Sequence, residues 1–256
     1  DFEELMEKRD YKEQSITFIP VSALQGDNVV NSSEKTPWYK GETLLEHLEA
    51  IDNKAIYNIG VPRFPVQYVV RPKTEEFHDF RGYAGKVYGG DLSVGDNIVV
   101  LPSQTKSKIK EILFYDKNYE TASRRSSVTI TLEDNINVSR GDMIVKEKEL
   151  PTIEKELTAT VSWMDTEKLK QGNKYTIQHG VNKVLAKVDN IHHKIEPDYS
   201  GIDEDITELA MNDIASVSFK LNKPIFYDQF KSHRTNGSFI LIDSHSNNTV
   251  GAGFIH

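Results

Sequence analysis

The stretch RGYAGKVYGGDLSVGDNIVVLP, from Arg81 to Pro102, decides the fold class of this chain. Gly85, Gly90 and Gly95 recur at five-residue spacing in it, with apolar residues between and after them. Glycine permits a positive φ or a close backbone contact. Asp96, directly after Gly95, favours a tight turn because its carboxylate can bond to the local backbone. Short apolar runs divided by such turns predict antiparallel β-structure.

The same pattern continues on both sides of that stretch. Before it, Phe64, Val66, Tyr68 and Val70 alternate with other residues, which predicts a half-buried strand. Further strands are predicted at 86–88, 97–101, 107–113, 127–132 and 143–146 and, after Pro151, at 157–163, 174–178, 183–195, 214–221, 238–243 and 249–255. Many short strands at this spacing are typical of a β-barrel or sandwich.

The first 52 residues follow a different pattern. Helical spacing of apolar residues predicts a helix over 2–9, an apolar run predicts a buried strand over 16–21, and leucines at 44, 45 and 48 predict a helix within 37–52. This is a piece of an α/β domain. We therefore predict three domains, at 1–55, 56–151 and 152–256, with a hinge at Pro151.

Composition excludes several classes of protein. The 256 residues are 38% hydrophobic and 27% charged, as in ordinary globular proteins, and contain no cysteine, so disulfides and thiolate metal sites are excluded. A net charge of −8 disfavours a broad nucleic-acid-binding surface. The sequence contains no run of about 18 apolar residues, so no membrane-spanning helix is predicted. The amino-terminal segment mixes acidic and basic residues. It has neither the apolar core of a signal peptide nor an initiator methionine. We expect an internal start and a cytoplasmic protein.

Several motifs resemble one known family. The pattern G-x-V-x-x-G-x-L-x-x-G-D-x-I-x-V-x-P, from Gly85 to Pro102, is similar to the second domain of translation-factor-type GTPases. The strings VSALQGDNVV, PWYKGETLLEHLE, RFPVQYVVRP and NGSFILID, in one collinear order, resemble the large, GTP-hydrolysing subunits of bacterial sulfate adenylyltransferases. This resemblance implies a mostly β fold, with two consecutive small antiparallel β-barrels after a remnant of an α/β P-loop GTPase domain.

The resemblance assigns nucleotide contacts to three residues only. Ser22, Ala23 and Leu24 match the fifth guanine-nucleotide motif, in which a loop N–H donates to the guanine carbonyl and small side chains let the base approach. The chain contains neither a G-x-x-x-x-G-K-[ST] phosphate loop nor an N-K-x-D motif. The resemblance thus implies GTP and Mg²⁺ for a full-length protein and neither for this fragment alone. No catalytic or metal-binding residue is assigned here.

Three functions from different classes stay open. The resemblance implies the carboxyl-terminal part of a regulatory subunit whose GTP hydrolysis is coupled to formation of adenylylsulfate and diphosphate from ATP and sulfate. Its partner would be the small catalytic subunit, with no nucleic-acid or membrane partner, and the fragment alone would be inactive. The alternative is a translation elongation factor-like fragment whose barrels bind tRNA, since both classes share the barrel pair. The third is a stand-alone barrel scaffold.

Overall fold

A computed structural model describes residues 2, 15–51, 60–72, 79–115, 117–196, 201–203 and 206–256. The chain divides into two compact units, Asp1–Tyr57 and Asn58–His256. The three predicted domains, with their two boundaries after residues 55 and 151, stay predictions. Within the described residues, the helices are too short or too polar to cross a bilayer.

In the first unit, one helix is described, α1 (Leu44–Ala50). Its start is fixed by a capping box: Thr43 accepts the backbone N–H of Glu46, and the Glu46 carboxylate accepts the backbone N–H of Thr43 at 2.8 Å. The Thr43 bonds lower the pKa of the Glu46 carboxyl. The predicted helix is therefore present, although none of its residues is buried.

The predicted buried strand over 16–21 is wrong. Residues 15–21 form no strand, and Phe18 is 57% exposed. A strand requires a neighbour that takes up its backbone hydrogen bonds. Among the described residues of this unit, β-bridges join only Ser22, Asp27 and Asn31. The helix predicted over 2–9 lies outside the described residues apart from Phe2, whose ring contacts Phe18 edge-on at 5.9 Å.

The second unit begins with a closed six-stranded barrel. Its ring order is β4-β9-β1-β2-β8-β5, closed by pairing of β4 with β5. The strands of this half are β1 (Arg63–Val70), β2 (Gly82–Lys86), β3 (Leu92–Ser93), β4 (Asn97–Leu101), β5 (Thr105–Phe114), β6 (Lys117–Tyr119), β7 (Thr121–Ala122), β8 (Ser127–Leu132) and β9 (Met143–Lys146). Inward-facing aliphatic and aromatic side chains, Phe64, Tyr83 and Ile130 among them, fill the interior.

A second closed six-stranded barrel follows, with ring order β12-β17-β18-β10-β16-β13 and closure between β12 and β13. Its strands are β10 (Thr152–Trp163), β11 (Leu169–Lys170), β12 (Lys174–His179), β13 (Asn182–Ile195), β14 (Ile202–Asp203), β15 (Glu208–Leu209), β16 (Ile214–Tyr227), β17 (Ser238–Ile242) and β18 (Thr249–Ile255). Trp163, 1% exposed, packs edge-on against Tyr175 in its core. The predicted fold of two consecutive small antiparallel barrels is confirmed.

A small apolar cluster joins the two barrels. Val99, Leu101, Met143 and Val145 of the first barrel pack with Phe226, which lies near the end of β16 in the second. Asn182 also donates from Nδ2 to the Gly141 carbonyl at 2.8 Å. The barrels therefore meet through both apolar and polar contacts.

Candidate functional site

The predicted base-contacting residues lie in a tight loop that Ser22 closes. The Ser22 N–H donates to the Asp27 carbonyl at 3.1 Å, and the Gly26 N–H donates to the Ser22 carbonyl at 2.7 Å. Gly26 has φ +76°, a conformation that glycine adopts without steric cost. The Ser22 hydroxyl accepts the Gln25 N–H at 3.3 Å. Residues 22–27 thus form a turn with Ala23 and Leu24 at its tip.

Two backbone donors at that tip are open. Within the described part of the chain, the N–H groups of Ala23 and Leu24 donate to no protein acceptor. Both residues are exposed, and the Leu24 side chain is 95% exposed. Adjacent amide donors beside a small side chain can bind a carbonyl oxygen of a planar ligand without a steric clash. This geometry suits the base contact that the resemblance implies.

Asn28 holds the loop from behind, and the sequence motif did not identify it. It is 2% exposed and has φ +56°, which asparagine tolerates better than most residues. Its side-chain Nδ2 donates to the Pro20 carbonyl at 2.7 Å and to Thr36 Oγ1 at 2.8 Å. Its Oδ1 accepts the Ser33 N–H at 2.7 Å, and its carbonyl accepts the Leu44 N–H at 3.0 Å. The buried side chain of Asn28 thus ties the loop to Pro20, Ser33 and Thr36, and its backbone carbonyl ties the loop to the start of α1.

Asp27 adds a second, exposed set of contacts. Its Oδ1 accepts the Ser33 hydroxyl at 2.8 Å, and its Oδ2 lies 3.1 Å from Lys35 Nζ. The hydrogen bond from Ser33, together with that from Lys35, lowers the pKa of the Asp27 carboxyl. Lys35 also bonds to Gln25. At neutral pH this part of the loop therefore contains an ionised carboxylate that a lysine neutralises.

A buried polar network joins the two barrels. Its charged pair, Arg63 and Asp228, is formed by residues 165 positions apart in sequence. Arg63 is 2% exposed and binds Asp228 through two bonds of 2.8 Å, from Nε to Oδ2 and from Nη2 to Oδ1. Its Nη1 donates to the Glu149 carbonyl at 2.6 Å. Burial opposes ionisation of Asp228, but the hydrogen bonds from Arg63 and Asn236 outweigh it, so its pKa is lowered. Asp228 is thus a partly buried carboxylate with its charge paired.

Two histidines complete this network. The backbone N–H of Asn236 donates to His233 Nδ1 at 3.0 Å, so a neutral His233 bears its proton on Nε2. Within the described residues, that Nε2 is buried without a partner. His179 donates from Nε2 to the Asn236 carbonyl oxygen at 2.8 Å. Burial lowers the pKa of both imidazoles, so both are neutral at pH 7.

These residues mark what sequence reasoning found and what it missed. It placed Ser22, Ala23 and Leu24 in one loop, and the structure brings them together there. It did not identify Asn28, Arg63 or the network around Asp228. A local signal existed for Asn28, because asparagine after Gly-Asp is a common positive-φ residue. The described residues contain no group of three or more histidine, aspartate or glutamate side chains that could hold a metal ion.

Comparison with known proteins shows what the chain is similar to. Residues 156–256 match the family described as "GTP-eEF1A C-terminal domain-like". The chain is 42% identical, over 97% of its length and 54% of the relative's, to sulfate adenylyltransferase subunit 1 of Colwellia psychrerythraea. The chain is a homologue of sulfate adenylyltransferase subunit 1. It is also 40% identical over 94% of its length to the bifunctional enzyme CysN/CysC of Mycobacterium tuberculosis, covering 40% of that protein.

Two solved structures share the fold of this chain. Sup35 complexed with GMPPNP superposes with a TM-score of 0.70 over 92% of this chain and 57% of that one, at 17% identity. Sup35 complexed with GDP gives a TM-score of 0.69. The chain spans about half the length of the subunit 1 relatives that it matches. The predicted resemblance to the large subunits of sulfate adenylyltransferases is therefore confirmed.

Proposed function

We propose that this chain supplies the barrel part of a regulatory GTPase subunit of sulfate adenylyltransferase. In the complete enzyme, GTP hydrolysis by this subunit would be coupled to formation of adenylylsulfate and diphosphate from ATP and sulfate in the cytoplasm. The observation that carries the proposal is identity of about 40% to subunit 1 proteins along nearly the whole chain. The open amides of the 22–24 loop support it independently.

Within this proposal, the 22–24 loop contacts the guanine base. The N–H groups of Ala23 and Leu24 would donate to the guanine carbonyl, and Ser22 and Asn28 would keep the loop in place through the bonds described above. For the phosphates and Mg²⁺ the corresponding residues are not found: the sequence has no phosphate loop, and the described residues contain no cluster of metal ligands. We therefore assign the phosphates and Mg²⁺ to other parts of a complete subunit and derive no step through them here.

The barrels have a mechanical role in this proposal. They would dock on the small catalytic subunit and transmit the nucleotide state to it, which requires that the two nucleotide states favour different arrangements. The buried Arg63–Asp228 pair would make the two barrels move as one body. The adenylyl-transfer chemistry would belong to the small subunit, so no catalytic residue is assigned to this chain.

Binding to the small subunit tests the proposal. Purified chain would be titrated with the small catalytic subunit of sulfate adenylyltransferase and, in parallel, with tRNA. We expect saturable binding to the subunit and none to tRNA at about 0.15 M salt, because an acidic chain repels phosphates. Binding to tRNA alone would favour the translation-factor alternative. Binding to neither would remove the docking role from this part of the protein.

A further inference from the structure

A cavity of about 190 Å³ lies between the two barrels, next to the buried network around Asp228. Residues of β1 and Met143 of the first barrel form one side of it. The turn between β12 and β13, together with Phe226, Thr235 and Asn236 of the second barrel, forms the other side. We call it the interbarrel cavity. It is large enough for a six-membered ring with one small substituent, since an apolar cavity of about 150 Å³ in another protein takes up benzene.

Buried apolar side chains form much of the cavity wall. Met143 and Phe226 are 5% and 7% exposed and belong to the apolar cluster that joins the barrels. Pro65 of β1 and Val181 of the β12–β13 turn add further apolar surface. Preformed cavities with apolar walls and a few placed polar groups are the usual binding sites of small molecules. The polar groups therefore decide which ligand this cavity would take.

Two hydrogen-bond acceptors of the lining residues have no donor. His179 uses Nε2 to donate to the Asn236 carbonyl, so its neutral ring has a bare lone pair on Nδ1. Asn236 uses both hydrogens of Nδ2, which it donates to the Phe226 carbonyl at 3.0 Å and to Asp228 Oδ2 at 2.8 Å. Within the described part of the chain, nothing donates to His179 Nδ1 or to Asn236 Oδ1.

Both acceptors face the cavity. His179 and Asn236 are only 4% and 6% exposed. The fully buried side-chain atoms that lack a partner among the described residues belong to Arg81, Glu149 and His233, and neither acceptor is one of them. His179 Nδ1 and Asn236 Oδ1 are therefore in contact with accessible space, and the interbarrel cavity is the space that both residues line. A ligand in the cavity must donate hydrogen bonds to satisfy them.

The charges around the cavity favour an uncharged ligand. Arg63 lines it, and Asp228 balances the charge of the guanidinium. Arg63 makes four hydrogen bonds, two to Asp228 and one each to the Pro62 and Glu149 carbonyls, so one of its five N–H groups remains for a ligand oxygen. Among the described residues that line the cavity, none is aspartate or glutamate. A cation would thus lack a counter-charge, and an anion would face two bare acceptors.

From this geometry we propose that the interbarrel cavity binds a small aromatic carboxamide. The two amide hydrogens would be donated to His179 Nδ1 and Asn236 Oδ1, and the amide oxygen would accept the remaining N–H of Arg63. The ring would pack on Met143 and Phe226. Such a ligand would contact both barrels at once and stabilise the arrangement in which they are packed together. The inference rests on the cavity alone and does not depend on the proposed function.

Three ring compounds of equal size test the chemistry of the site. Benzamide is the probe, acetophenone replaces its amino group with a methyl group, and benzoate replaces it with a charged oxygen. Each would be titrated into the isotope-labelled chain at neutral pH and followed by NMR. We expect benzamide to bind with a Kd of about 1 mM or tighter, as roughly nine non-hydrogen atoms allow. Acetophenone and benzoate should bind about tenfold more weakly or not at all, since they leave the acceptors unpaired.

Two cavity variants and one control locate the site. Val181→Phe fills the cavity from the β12–β13 turn, and Thr235→Phe places a ring at its exposed rim. Val94→Phe makes the same addition on a turn of the first barrel, at a side chain that is 37% exposed. We expect each cavity variant to weaken benzamide binding about tenfold or more, and the control to keep it within about twofold, because a filled cavity has no room for a second ring. Thr235→Phe suffices if Val181→Phe does not fold.

Each of the other results overturns the proposal in a different way. Equal binding of benzamide and acetophenone would show that the acceptors do not select the ligand. Tighter binding of benzoate would identify an anion site. Benzamide binding that neither cavity variant weakens would place the site elsewhere on the chain. Absence of benzamide binding by the wild type would leave the cavity to water.

Discussion

At the scale of single residues, Arg63 makes a contact whose loss has a large energetic consequence. All three of its guanidinium nitrogens donate to protein acceptors, and its carboxylate partner, Asp228, is 13% exposed in its side chain. Taking two charges out of water is costly, and the mutual attraction repays that cost only with good geometry. The two parallel bonds of 2.8 Å meet this condition. Losing one partner leaves the other charge buried and unpaired.

Replacing Arg63 with alanine should therefore destabilise the protein strongly. We expect the free energy of unfolding to fall by about 3–5 kcal/mol, the range for removing one member of a buried ion pair. The measurement is urea-induced unfolding followed by intrinsic fluorescence. Lys106→Ala is the control, because Lys106 is 71% exposed beside Glu147, and a surface pair contributes roughly 0–1 kcal/mol. Equal effects of the two substitutions would show that Arg63 is not paired as described.

Neither Arg63 nor Asp228 could be identified from the sequence, for a physical reason. The pair depends on the placement of two barrels whose contacting residues are 165 positions apart, and no local pattern encodes that distance. Ser22, Ala23 and Leu24 were found because their chemistry resides in one continuous turn. Asn28 is intermediate: its turn conformation has a local signal, but its bonds to Pro20 and Thr36 do not.

At the scale of elements, periodicity located most strands of the barrels. The predicted strands at 97–101, 127–132, 143–146 and 249–255 coincide with β4, β8, β9 and β18. The prediction at 86–88 is wrong, because the strand there is β2, Gly82–Lys86. Its glycines resembled turn residues, but they lie in the strand to make room for neighbours. A Cβ on Gly85 would lie 2.5 Å from the Pro65 carbonyl oxygen and 2.9 Å from the Phe64 ring.

Gly85→Ala tests this explanation of β2. The Pro65 carbonyl belongs to paired backbone and cannot move aside cheaply, so we expect a loss of about 2–3 kcal/mol in unfolding free energy. Gly95→Ala is the matched control: no atom lies within 4 Å of its Cβ position, and the cost is only that of φ +84°, about 1 kcal/mol. Urea titration of both variants gives the comparison. If Gly85→Ala cost no more than Gly95→Ala, steric crowding would not be the reason for glycine in β2.

At the scale of the whole molecule, the interface between the barrels depends on neutral histidines. His179 and His233 are 4% and 5% exposed, and both contact Asn236, which also binds Asp228 through its side chain. Protonation of His233 would place a second N–H on Nδ1, directly opposite the N–H of Asn236. The network therefore holds together only while His233 lacks that proton.

This arrangement predicts that the free energy of unfolding begins to fall, as the pH is lowered, before the carboxylates become protonated. Burial lowers the pKa of His179 and His233 below the ordinary value of 6.5, so below pH 6.5 the unfolded chain binds protons that the folded chain does not. Stability is thus fully present above pH 6.5 and falls as the pH decreases, by at most about 1.4 kcal/mol per pH unit for each histidine. Asp228, whose pKa is lowered from 3.8, adds its own loss only as the pH falls below that value.

His233→Asn isolates the contribution of one imidazole. Asparagine Oδ1 can accept the Asn236 N–H in place of Nδ1 but does not titrate. The unfolding free energy should therefore fall less steeply between pH 7 and pH 5, with the slope reduced by up to the contribution of one bound proton. Urea-induced unfolding of wild type and variant at half-unit pH intervals gives the unfolding free energies and hence the two slopes. A slope that His233→Asn does not change would mean that this imidazole is protonated in the folded interface, and the network would then need a different proton arrangement around Asn236.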